Sequence, residues 1–111
     1  MLVSRSSPFG GRARTLVLLS LSLLDESFPR ELARLMEMSL NGVQQALQGL
    51  EGDGLVASRM AGRTRLYRLN PRYFAREELK DYLRRLAEAE TELAARVGAL
   101  RKRPRRAGKP R

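Results

Sequence analysis

The sequence predicts a mainly α-helical fold carrying one small β-hairpin: three short helices, the hairpin, and a long C-terminal helix. Three observations predict it. Apolar residues recur at helical spacing in four separate windows, residues 55–69 shorten to strand-like segments around Gly62, and Pro or Gly falls between the windows. The chain has 111 residues, of which 42% are hydrophobic, so it holds one small domain with a modest core.

Residues 1–11 read as an N-terminal arm, with Pro8 and the Gly10-Gly11 pair. A first helix is expected over 12–24. Its apolar residues, Leu16 and Leu19 among them, cover almost the whole circumference, so it should be buried on more than one side. Pro29 suits the first turn of a second helix, and Leu32, Leu35 and Met36 give its i, i+3, i+4 stripe. Ser39 reads as the N-cap of a third helix, whose buried stripe is Val43, Ala46, Leu47 and Leu50 and whose end is Gly52-Asp53-Gly54. Segments 55–60 and 64–69 flank Ala61-Gly62-Arg63 as a hairpin, which Asn70-Pro71 closes.

The remainder, 72–103, is expected to be one long helix with no internal Pro. Leu79, Leu86, Leu93 and Leu100 recur every seventh residue, with Leu83 and Val97 at complementary positions and Glu90 at the third of these. A seam of that kind argues for packing along a partner. Such a helix would reach ~40 Å at ~1.5 Å per residue, more than a small domain can cover. Together with Leu16 and Leu19 on the first helix, these residues are expected to form a homodimer interface. Pro104 should end the helix, leaving a disordered basic tail over 104–111.

Composition removes several functions. The chain contains no Cys and no His, so disulfides, thiolate or imidazole metal sites, and catalysis built on those residues are excluded. No Gly-rich phosphate motif is present, and the adjacent acids Asp25/Glu26 and Glu77/Glu78 are explained by helix ends; no enzyme and no cofactor is expected. The basic residues before the apolar run 15–24 resemble a secretory signal, but Asp25 and Glu26 follow directly and no small-x-small site appears. Ten residues are too few to span a bilayer. The expectation is a cytoplasmic protein with no membrane partner.

Charge points towards a polyanion. The net charge is +10; residues 101–111 hold seven Lys or Arg and no acid, and residues 54–76 hold six Arg and no acid. Helix, helix, helix, hairpin is the order of a helix-turn-helix with a β-wing. The outward side of the third helix carries Ser39, Asn41, Gln44, Gln45 and Gln48, and residues 39–50 contain no charge in a chain that is 31% charged. An ordinary solvated helix would carry Lys and Glu there, whereas amides and hydroxyls suit base edges. Arg63 at the hairpin tip, with Arg59, Arg65 and Arg68 on the strands, can reach phosphates or a narrow minor groove. Arg30, at the start of the second helix, is placed for a phosphate contact. The alternative for any one of these Arg is surface solvation, and for Arg65 or Arg68 it is pairing with a nearby Glu or Asp.

The stretch PRELARLMEMSLNGVQQALQGLEGDGLVASRMAGRTRLYRLNP, residues 29–71, resembles the DNA-binding region of ArsR-like winged-helix repressors, and the lead-in PFGGRARTLVLL resembles their first helix. The family pattern is an ELA helix, a Ser-led recognition helix ending in LE and GLV, and a wing closing in YYRL; here the closing residues are LYRL. The resemblance spans about residues 8–76. It implies a winged helix-turn-helix with a dimerisation helix, a homodimer on double-stranded DNA, and repression of transcription. Ser39, Asn41, Gln44, Gln45 and Gln48 match the recognition face, and Arg63 matches the wing tip. Metal sensing does not carry over without Cys or His, and no effector is specified. The long C-terminal helix is also similar to that of PadR and MarR relatives. Two other classes compete: an architectural protein coating DNA with little sequence preference, which the charge favours, and a protein-interaction module using the long helix.

Overall fold

The computed structural model describes residues 8–102. The elements are α1 (Arg12–Leu24), α2 (Pro29–Met36), α3 (Leu40–Gly52), β1 (Val56–Ala61), β2 (Thr64–Leu69), α4 (Arg76–Ala89) and α5 (Thr91–Lys102). Residues 1–7 of the expected arm and the whole of the expected tail, 104–111, lie outside the described residues.

α1 occupies the middle of the domain. Leu16, Val17, Leu18, Leu19 and Leu21 are all at most 1% exposed, because α2, α3, α4, α5 and β2 each pack on this helix. Its all-round apolar character is therefore satisfied within one chain. That corrects the expectation that Leu16 and Leu19 need a second subunit to cover them.

α2 begins with Pro29 after the extended residue Phe28. It ends where Glu37 takes a left-handed conformation, φ 54°, and Met38 N–H donates to Ala33 O at 3.0 Å. This short reversal sets α3 against α2. The Ser39 hydroxyl caps α3, accepting from Gly42 N–H at 3.0 Å. Val43, Ala46, Leu47 and Leu50 form the buried stripe, as the spacing predicts.

The hairpin pairs Val56 with Leu69 through to Ala61 with Thr64, leaving Gly62-Arg63 as the turn. Gly62 has φ 65°, the positive value a two-residue hairpin turn requires at its first position. The hairpin is fixed at its base. Ser27 and Tyr67 exchange backbone hydrogen bonds of 3.0 and 2.7 Å, and Asn70 Nδ2 donates to Gly54 O at 2.8 Å.

The long C-terminal helix is not one helix. Residues 72–75 form the connection from the hairpin, α4 starts at Arg76, and the helix breaks at Glu90, where φ is −95° and ψ is 65°. The physical reason is packing. α5 contacts α1 and α2 as well as α4. Arg96 on α5 donates to Leu35 O at 3.0 Å and pairs with Glu37 at 3.3 Å and Glu92 at 3.0 Å. The break lets one heptad pattern cover the chain's own core. Leu79, Leu83, Leu93 and Val97 are at most 6% exposed, and only Leu86 and Leu100 remain partly uncovered. Four of the six C-terminal residues expected in an intersubunit seam are thus core residues. Phe9 from the arm stacks edge-on against Tyr82 of α4, ring centroids 5.5 Å apart.

Candidate nucleic-acid interface

α3 presents two unlike faces. Val43, Ala46, Leu47 and Leu50 point into the core, while Asn41, Gln44, Gln45 and Gln48 are exposed on the opposite side. No charged side chain interrupts that face between Ser39 and Leu50. Ser39 is exposed at its N-terminal edge with one lone pair committed to the cap, which leaves its O–H able to donate. The four carboxamides supply both donors and acceptors on a rigid, well-packed helix.

The hairpin stands beside the C-terminal end of α3 and is tied to it. Arg65 Nη1 donates to Ser58 Oγ at 3.0 Å, and Ser58 Oγ donates to Glu51 Oε2 at 2.7 Å. Arg65 is thus held towards α3. Arg59 is engaged more firmly, its Nε and Nη2 meeting both oxygens of Glu26 at 2.9 and 3.0 Å. The hydrogen bond from Arg59, against a smaller opposing effect of burial, lowers the Glu26 carboxyl below its ordinary value. Arg63 at the turn and Arg30 on the first turn of α2 are exposed, and among the described residues neither makes a side-chain ion pair or hydrogen bond. Burial first, then the Glu51 carboxylate, raises the Tyr67 phenol, so this buried side chain stays neutral.

The candidate interface therefore combines an uncharged amide face with two cations, Arg63 and Arg30, that have no ion-pair partner among the described residues. Two further cations, Arg59 and Arg65, are already bound within the chain. Arg68 is exposed on β2.

No protein-family model and no curated protein matches the sequence. Solved structures do. The chain is similar to reduced HlyU from Vibrio cholerae, with 29% identity and a TM-score of 0.59 over 71% of this chain and 77% of that one. It is similar to Mb0332 from Mycobacterium bovis, a homodimeric winged helix-turn-helix DNA-binding domain and possible ArsR-family transcriptional regulator. There the identity is 25% and the TM-score 0.52, over 73% of this chain and 70% of that one. The chain has the winged helix-turn-helix fold. A mutant of ZitR from Lactococcus lactis in apo form shares the fold, at 18% identity and a TM-score of 0.53 over 86% of this chain and 70% of that one.

In this fold, α2 and α3 are the helix-turn-helix pair and β1–β2 the wing. Sequence reasoning missed the partners that restrain the wing. Glu51 and Ser58 were not singled out, and Glu26 was read only as a helix-end acid, because a pair such as Glu26–Arg59 is 33 residues apart and has no local spacing to reveal it. Also missed was the clamp at the start of α1, where Arg14 pairs with Asp53 at 2.9 Å across Gly49. A methyl group at Gly49 would come 2.1 Å from the Arg14 guanidinium, so the absent side chain is what admits it. Its signal was a Gly inside an otherwise regular helical stripe. Among the described residues, no helix is long and apolar enough to cross a membrane.

Proposed function

We propose that the protein is a homodimeric regulator of transcription that binds double-stranded DNA sequence-specifically and represses by occupying its operator. α3 enters the major groove and reads base edges through Asn41, Gln44, Gln45 and Gln48, with Ser39 at the groove's edge. Arg63 on the wing reaches the backbone or minor groove, and Arg30 with the start of α2 meets a phosphate. Arg59 and Arg65 join only where phosphate outcompetes their internal partners. The protein works in the cytoplasm, on DNA.

The observation that carries this reading is the uninterrupted carboxamide face of α3 beside a wing-tip arginine with no ion-pair partner among the described residues. A face of that chemistry gives little to a phosphate and much to a base: a good bidentate amide contact discriminates by ~1–3 kcal/mol. Support also comes from the Mycobacterium bovis neighbour, a homodimeric DNA-binding domain of the same fold.

A second reading, low-specificity coating of DNA, is favoured by the net charge of +10 and the seven basic residues in 101–111. One paired titration separates the two. Gln44→Ala and Gln45→Ala are each measured on a site selected from genomic fragments and on scrambled DNA. Under specific reading each costs ~1–3 kcal/mol on the selected site and much less on scrambled DNA. Equal losses on both would favour coating.

A further inference from the structure

A cavity of about 430 Å³ lies between the C-terminal turn of α1, the end of β2 and α4. That volume falls in the range of small-ligand sites. Its apolar wall is aliphatic, built by Leu21, Leu69 and Ala87, and no aromatic ring lines it. Around it stand three cations, Arg68, Lys80 and Arg84, and a single carboxylate, Asp25.

The cations are not equally compensated. Arg84 pairs with Asp81, one turn earlier on α4. Lys80 makes no ion pair among the described residues. Arg68 acts on Glu26 only at a distance, since both oxygens of that carboxylate are held by Arg59. Two positive charges without an ion pair among the described residues therefore border an aliphatic hollow. This combination suits an anion with a saturated apolar body.

We propose that this cavity binds a medium-chain aliphatic carboxylate. The head group lies between Arg68 and Lys80, and the chain lies on Leu21, Leu69 and Ala87. The opposite wall fixes the direction. The C-terminal end of α1 carries the negative end of the helix dipole, and Asp25 caps that same end. Both repel the carboxylate towards β2 and α4. The site needs nothing from the proposed DNA binding and can be tested without DNA.

The experiment is calorimetric titration of the full chain with octanoate below its micellar range, with octanol and octylammonium as length-matched controls. Octanoate is expected to bind saturably, and the controls much more weakly. Lys80→Gln and Arg68→Gln should each weaken octanoate binding roughly 10-fold, the usual scale of a charge-assisted hydrogen bond. Asp25→Asn should tighten it, a gain that a purely structural role for Asp25 does not produce. Ala87→Trp, which fills the hollow, should abolish it with the circular dichroism spectrum unchanged. If Ala87→Trp does not fold, the exposed Lys80→Gln and Asp25→Asn variants decide. Octanoate failing to saturate, or octylammonium binding as tightly, would overturn the proposal.

Discussion

Arg59 and Arg63 lie on the same hairpin, but they differ in what they can offer a phosphate. Arg59 is spent on Glu26 through two hydrogen bonds, 2.9 and 3.0 Å. Arg63 sits at the turn beside Gly62 with no carboxylate partner among the described residues. A carboxylate 33 residues away in sequence, in the connection between α1 and α2, thus sets how much of the wing's positive charge is available. Glu26→Gln should release Arg59 and strengthen binding to random DNA. The slope of log K against log salt should steepen by up to ~0.9, the effect of one added phosphate contact. An unchanged slope would mean that Arg59 does not reach DNA even when free. The pair also has a pH signature. Arg59 lowers the Glu26 carboxyl in the folded state, so the contribution is whole above the unfolded-state value of roughly 4.3. It fades as pH falls through the lower folded value. Acid unfolding curves of Glu26→Gln and of the wild type should therefore converge at the lowest pH and separate above it.

At the scale of elements, much of the chain was legible from local signals. The bounds of α1, the Ser39 cap, the stripe of α3 and the Gly62 turn all follow from residues within a few positions of one another. So does the amide face, since fixing the inward stripe fixes what points out. The break at Glu90 was not legible as a break, although its sign was present: a carboxylate stood at a position where the heptad asked for an apolar residue. Periodicity reports which face is apolar, not which neighbour covers it. The neighbour is chosen by contacts of long range, above all Arg96 to Leu35 O, 61 residues apart. That guanidinium satisfies a carbonyl at the end of α2 and favours the negative end of its dipole. Arg96→Ala should cost ~1–2 kcal/mol, the worth of a charge-assisted hydrogen bond with its dipole contribution, and lower the melting temperature by several degrees. Hydrogen exchange should quicken in α5 and in the last turn of α2 before it does in α1. If α5 keeps its protection in the variant, the apolar contacts of Leu93 and Val97 alone hold the helix back against the core.

The described residues measure 42 × 28 × 28 Å, and they close their own core around α1 before any partner is considered. This changes where a homodimer interface is to be sought. Leu83, 0% exposed, and Leu93, 1% exposed, are needed inside the protomer. Replacing either with Asp would bury an unpaired charge and unfold the chain rather than separate subunits. Leu86 and Leu100 remain from the same heptad row, only partly covered, on α4 and α5. A second copy packed on α4 and α5 would bury them, and two protomers of this size fit half-sites ~34–36 Å apart, one turn of B-DNA. The expected outcome for Leu86→Asp combined with Leu100→Asp is therefore a protomer with unchanged circular dichroism and half the sedimenting mass. DNA affinity should fall strongly, since only one half-site is then held at a time. Leu83→Ala serves as the contrast: it should cost ~2–5 kcal/mol of stability through the cavity it leaves, with the subunit contact itself untouched. A double variant that keeps its mass would move the interface off these two residues, and one that loses its fold would show that Leu86 and Leu100 belong to the core as fully as Leu83 does.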